Sequence, residues 1–431
     1  MSAPRHGLLA RSLAACLGLA CTLPALAQEV ASGVPDSLLP YYDALLEEGE
    51  WGAVLNLQRL GLEAIDQRRP DIAARAFDAA IERIELVYAN SDSAKKARSL
   101  WSSEGVKDYK GEPYERAMAY YYRGLLFLAE GDHENARASF RSAEYQDTIS
   151  NDETYAGDFG MMSLLAGWAS SCAGDPAMAE DFYQRAATQQ PEGLQPPPAG
   201  SGTLLLVESG TSPVKIATGP YGEALKFQAG DNPFASVTAG GQALPVLGDL
   251  GWQANTLGGR QIDVVLNGKA SFRQGSETVA EVGMLGVQAA LGSGDSGAAG
   301  ALALVGVAAI LLSSATKAKA DIRAWENLPD RIHGGFLPAG APAPAVAEIT
   351  ADGDAYEVPA PVLDATAGSC RLLVYRTREP GALRAQPVSN LSAAERKSLS
   401  RRNQARDARF REEMGARFQA DTDSIAGAEL P

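Results

Sequence analysis

Histidine and cysteine are scarce in this chain, with three of the first and four of the second among 431 residues. Transition-metal sites draw on these side chains at short, fixed spacings, and His133, His333, Cys172 and Cys370 show none with one another. No metal is therefore expected. Phosphate-cradling loops are missing too: the chain has no GxxxxGK[ST] run and no strand-GxGxxG-helix unit, so no nucleotide cofactor is expected. Positive charge is in deficit, with 38 Lys and Arg against 53 Asp and Glu and a formal net charge of -15. Such a surface repels phosphate backbones and anionic head groups, which argues against nucleic acid, or a membrane bound by charge, as partner.

What is present is globular in composition: 45% hydrophobic and 21% charged residues over a length that accommodates two or three domains. The first 27 residues have the order of a secretory signal. A basic start (Arg5, Arg11) precedes an uncharged run over 12–26 and Ala25-Leu26-Ala27 before Gln28. Leu13-Ala14-Ala15-Cys16 resembles a lipobox, but Arg11 leaves it almost no apolar core. Cleavage after Ala27 without lipidation is the expectation, giving an exported, periplasmic protein with outer-membrane association as the alternative. Cys172 and Cys370 then remain, one in a predicted helix and the other beside a strand of a separate region, and two unpaired, buried thiols are expected.

Three times a glycine precedes by sixteen residues an aromatic inside the pattern small-x3-aromatic-x2-Ala: Gly61 with Ala73, Phe77 and Ala80; Gly124 with Ala136, Phe140 and Ala143; Gly167 with Ala179, Tyr183 and Ala186. A fixed offset of this kind predicts repeated antiparallel helix pairs, the glycine allowing close approach and the aromatic filling the gap. Turns fall at Arg69-Pro70-Asp71, Gly131-Asp132 and Gly174-Asp175-Pro176. The pattern resembles the tetratricopeptide repeat from about Trp51 to Pro191. The aromatics are spaced by 63 and then 43 residues rather than a uniform repeat of about 34.

Residues 191–202 read as a Pro/Gly linker. Beyond it, apolar runs at 203–207, 214–217, 225–228, 234–238, 262–266 and 372–375 predict strands. Helices are predicted over 277–291, 317–325 and 392–418. The expected organisation is a signal at 1–27, an all-α tetratricopeptide-like domain at 28–190, the linker at 191–202, a strand-rich α+β domain at 203–384 and a basic C-terminal tail at 385–431. The tail carries eight Lys and Arg against three acids over 396–417, and it is expected either solvated or docked on an acidic partner such as the chain's own repeats.

Leu204-Leu-Leu-Val-Glu-Ser-Gly-Thr-Ser-Pro-Val-Lys215, Gly111-Glu-Pro-Tyr-Glu-Arg116 and Ala320-Asp-Ile-Arg-Ala-Trp-Glu-Asn-Leu-Pro329 are similar to segments of a family of exported bacterial proteins, many of them outer-membrane lipoproteins. Members pair an N-terminal tetratricopeptide-like region with a strand-rich half. The resemblance implies envelope residence and supplies no activity.

Chemistry is thinly marked. Gly294-Asp295-Ser296-Gly297 matches the nucleophile tetrapeptide of trypsin-like proteases, yet Ala298-Ala299 follows it and His333 comes after it rather than before. A glycine-rich hinge is the reading taken, and a hydrolytic enzyme with a site in the C-terminal domain is the alternative. The charge-free stretch 296–316 is long enough for a bilayer at about 1.5 Å per residue, but its many Ala, Gly and Ser favour a buried helix over membrane association. Asp321, Arg323 and Trp325 read as a salt-linked aromatic anchor that docks a helix on the sheet.

Tetratricopeptide arrays bind extended peptides or partner helices along a groove. The groove positions carried over by register are Leu55, Gln58, Leu62 and Ile65; Met118, Tyr121, Leu125 and Leu128; Met161, Leu164, Trp168 and Ser171. They are largely apolar, so the groove must be filled, either by an envelope protein or peptide segment or by the chain's own inserts and C-terminal domain. The expectation is a non-enzymatic envelope scaffold that binds a partner protein through its helical repeats.

Overall fold

The computed structural model describes residues 33–89, 107–148, 157–190, 193–218, 224–228, 230–256, 320–377, 391–419 and 421. All of these fall in one compact unit, Gly33–Pro431. The predicted strand at 262–266, the helix at 277–291, the Ser296 tetrapeptide and the stretch 296–316 lie outside the described residues.

The N-terminal half is helical. α1 (Leu39–Glu48) leads into three antiparallel pairs: α2 (Ala53–Asp66) with α3 (Pro70–Ala89), α4 (Pro113–Glu130) with α5 (His133–Thr148), and α6 (Gly160–Cys172) with α7 (Pro176–Gln189). Local chemistry sets their ends. α4 opens on proline after a reciprocal capping box between Glu112 and Glu115 and closes at Gly131 in the left-handed region. α7 opens on Pro176 after Asp175, whose side chain accepts from the Met178 N–H. In each pair the expected glycine meets the expected aromatic. A methyl group on Gly61, Gly124 or Gly167 would fall 2.9, 2.6 or 2.5 Å from the ring of Phe77, Phe140 or Tyr183.

The described residues of the second half form a mixed α+β arrangement of two sheets and a hairpin. The five-stranded sheet has the order β10 (Leu363–Ala367), β11 (Cys370–Arg376), β1 (Ser201–Ser209), β7 (Arg331–Pro338), β6 (Val246–Asp249), with β1 parallel to β11 and antiparallel to β7. The four-stranded sheet has the order β5 (Gln242–Ala243), β4 (Phe234–Ala239), β8 (Val346–Thr350), β9 (Ala355–Val358). β2 (Val214–Thr218) and β3 (Ala224–Gln228) form the hairpin, and α8 (Leu250–Thr256) follows β6. β1 reads as an unbroken apolar run because both its faces are covered. Leu204 and Leu206, with Leu372, Val374 and Ile332, join the helical core. Leu205 and Val207, with Leu373 and Tyr375, pack against Val237, Ala239, Val346 and Val358 of the second sheet.

One hydrophobic core therefore runs from Leu38 through the three helix pairs into the five-stranded sheet, across the 191–202 segment that reads as a linker. α9 (Ala393–Arg417) is the predicted basic helix, opened by a capping box between Ser392 and Glu395. It docks on the chain's own helices. Phe410, Met414 and Phe418 enter the core, Arg406 pairs with Asp108, and Arg417 with Glu82.

Two expectations are corrected. Cys172 and Cys370 are neither unpaired nor fully buried: they form a disulfide and are partly buried against the core. The two positions are 198 residues apart in sequence and meet only because the sheet lies on the helices, bringing the β10–β11 turn to the end of α6. The helix predicted to end at 325 is also absent over its described part. Residues 320–325 form neither helix nor strand: the Asp321 carboxylate accepts from the N–H and guanidinium of Arg323, and further polar groups of the segment bond residues of the helical half.

Candidate functional site

α2, α4 and α6 are the first helices of the three pairs, and every described side chain of α2 is buried. Eleven of the twelve predicted groove residues are buried: Leu55, Gln58, Leu62, Ile65, Met118, Tyr121, Leu125, Leu128, Met161, Leu164 and Trp168. Ser171 is exposed at the end of α6, its hydroxyl 2.9 Å from that of Tyr183. The chain itself covers the others. Trp168 packs on Phe336 of β7 at 5.3 Å between ring centroids, Met161 lies against Gly248 of β6, and the Tyr121 hydroxyl donates to Glu208 of β1 at 3.2 Å. Gln58 donates to the Glu115 carbonyl at 3.2 Å.

A strap of chain, 320–328, completes the filling. Trp325 is fully buried against Phe77 and Tyr122, and its backbone N–H donates to Glu115 Oε1 at 2.7 Å. Arg323 pairs with Asp321, donates to the carbonyls of Trp51 and Lys107, and lies over the Trp51 ring at 4.4 Å. Arg59 of α2 bonds the Ala324 carbonyl and the Glu326 carboxylate, and Asn327 donates back to the Arg59 carbonyl. The anchor read at Asp321, Arg323 and Trp325 is thus real, but it fastens the strap to the helices and not a helix to the sheet.

Two buried charge clusters flank the strap. In the first, Lys215 of β2 places Nζ 3.0 Å from Glu115 Oε2 and 3.1 Å from Glu112 Oε1. Desolvation would lower the lysine pKa, but the two carboxylates outweigh it and hold the ammonium above its usual range. Segments 111–116, 204–215 and 320–329 meet here, through Glu112 and Glu115, Lys215, and Trp325. The polar groups that bond them, Lys215 above all, were not singled out from sequence. A lysine inside a strand-forming apolar run was the available signal.

In the second cluster, Arg376 of β11 bonds Glu208 and the Tyr122 hydroxyl, lies 2.6 Å from Asp66 of α2, and donates to the Asn327 carbonyl. Burial raises the Glu208 pKa, against the pull of Arg376 and of the hydroxyls of Tyr122 and Tyr121. Burial, followed by the Glu208 charge, raises both tyrosines well above their ordinary value. Tyr121 and Tyr122 therefore act as neutral donors. The arrangement joins helices to sheet by charge-assisted hydrogen bonds.

Among the described residues no three His, Cys, Asp or Glu side chains are placed to hold a metal, and no helix is long and apolar enough to cross a membrane. No protein-family model, curated protein or solved structure matches this chain.

Proposed function

We propose that the protein is a non-enzymatic scaffold of the bacterial envelope, exported by a signal ending at Ala27. Its tetratricopeptide-type helix pairs hold the chain's own sheet, and it recruits a partner protein from outside the filled groove. The observation that carries this reading is the strap. Residues 320–328 lie against α2 and α4, gripped through main-chain and side-chain groups as a peptide is gripped by a helical repeat array. A groove taken in cis leaves the outer helices and α9 to a partner.

The repeat assignment is supported by the three glycine–aromatic contacts. Export is supported by the Cys172–Cys370 bridge, since disulfides persist in oxidising compartments and are rare in the cytosol.

Affinity capture from the native envelope with the mature chain tests the reading. Wild type and Tyr121→Phe should recover the same partner, because Tyr121 is core and not contact surface. Loss of the partner from a Tyr121→Phe chain with an unchanged circular dichroism spectrum would return the binding site to the groove. Substrate turnover by the mature chain would overturn the non-enzymatic reading. Intact mass should give a chain beginning at Gln28 without acyl groups, and an acylated Cys16 would replace a periplasmic protein by an anchored one.

A further inference from the structure

The docked face of α9 is settled by its contacts. Leu399 packs with Trp51 and Leu391, Phe410 and Met414 enter the helical core, Arg406 and Arg417 are paired with Asp108 and Glu82, and Arg411 donates to the Leu46 carbonyl. Asp407 accepts from the Glu50 N–H and Glu413 pairs with Arg83, and the opposite side of the helix faces solvent. On that face Lys397, Arg401, Arg402 and Arg409 are exposed, and none makes an ion pair among the described residues. No acid interrupts the sequence from Arg396 to Arg406. Lys397 and Arg401 stand four apart and Arg402 and Arg409 seven apart, so they form two adjacent ridges that together span about 18 Å at about 1.5 Å rise per residue.

From this strip we infer that α9 docks an acidic segment of a partner protein, a run rich in Asp and Glu carboxylates. The inference rests on the scaffold reading above and names the chemistry of its partner.

Three of the four charges are guanidinium groups, whose planar fork binds carboxylate and phosphate oxygens alike in bidentate fashion. Two observations select an acidic segment over an anionic lipid surface. The side chains between them, Ser398, Gln404, Ala405 and Ala408, are small or polar, so the face has no aromatic or large aliphatic group to enter a lipid surface. The whole chain carries a net charge of -15 despite this helix, so an anionic plane broad enough to face the body would be repelled, whereas a narrow segment meets the strip alone.

The test uses the full mature chain and a fluorescent poly-glutamate peptide of about twelve residues, long enough to span the strip when helical. Phosphatidylglycerol vesicles serve as the competing surface. Wild type should bind the peptide at low salt and lose it steeply as salt rises, because exposed pairs are screened within a Debye length. Combined Lys397→Glu, Arg401→Glu, Arg402→Glu and Arg409→Glu should weaken binding more than tenfold with an unchanged thermal midpoint. A control reversal at Arg137 and Arg185, on the repeats, should leave binding within twofold.

Absence of peptide binding, indifference to the α9 reversals, or tighter binding to the vesicles through the same four residues would each overturn the inference. A charge-reversed chain that still captures its envelope partner would remove the strip and leave the scaffold reading standing. Loss of capture only in the α9 variant would support both.

Discussion

Gly124 of α4 and Phe140 of α5 are so close that a methyl group on the glycine would lie 2.6 Å from Phe140 Cε1. The ring is fully buried between helices that cannot separate without opening the core, so the added carbon is accommodated only by strain. Gly124→Ala should cost about 1–3 kcal/mol in urea unfolding. An unchanged unfolding midpoint would show that the helix pair yields, and that close approach is not what the repeated glycine secures.

The helix pairs were legible because this contact is local. Sixteen residues separate the glycine from its aromatic, and the same offset recurs at Gly61 and Gly167. β1 to β4 and β11 were legible from apolar runs bounded by turn residues. What covers the groove was not. Tyr121 meets Glu208 across 87 residues, Trp325 meets Glu115 across 210, and no periodicity encodes such pairings. The strap misread as helix for the same reason: apart from the Asp321–Arg323 pair, Arg323 and Trp325 find their partners at Trp51, Lys107, α3 and α4, far away in sequence. The two cysteines were judged by the segments they occupy, and the bridge depends on how those segments pack.

The Cys172–Cys370 bridge closes a loop of 198 residues and fastens the end of α6 to the five-stranded sheet. Replacing both cysteines by serine should lower unfolding free energy by about 2–5 kcal/mol while the chain still folds, since the core beneath the bridge is continuous. Thiol titration of the unreduced, denatured wild-type protein should find neither cysteine free. Two reactive thiols in that protein would contradict the pairing.

Glu348 of β8 is buried beside the apolar inter-sheet core, and desolvation pushes its carboxyl up to about 7 from the usual 4.5, opposed by a hydrogen bond from Thr377. The raised value fixes the sign. Below about 4.5 the acid is protonated in both folded and unfolded chains and has no linkage effect. From there to about 7 the unfolded chain gives up the proton first, so stability falls as pH rises, and above about 7 the loss is constant. Glu348→Gln should therefore raise the thermal midpoint at pH 8 and leave it nearly unchanged at pH 4. Equal midpoint changes at both values would show that the carboxylate is not penalised by burial.

Lys215 supplies the cation between Glu112 and Glu115, and Glu115 also receives the backbone N–H groups of Glu112 and Trp325. Removing one partner of such a buried group leaves uncompensated charge. Lys215→Met should cost about 3–5 kcal/mol, more than loss of the lysine's own packing explains. Glu115→Gln keeps one acceptor oxygen in place of two, so it leaves Lys215 with Glu112 only and strands the N–H of either Glu112 or Trp325, and it should also destabilise the fold. In the double variant the cation and one anion leave together. Its destabilisation should be smaller than the sum of the single effects, a coupling in the direction expected of residues in one network. Additive losses would mean that Lys215 and Glu115 act separately, and that the three segments meeting here are joined by apolar packing rather than by the buried ion pair.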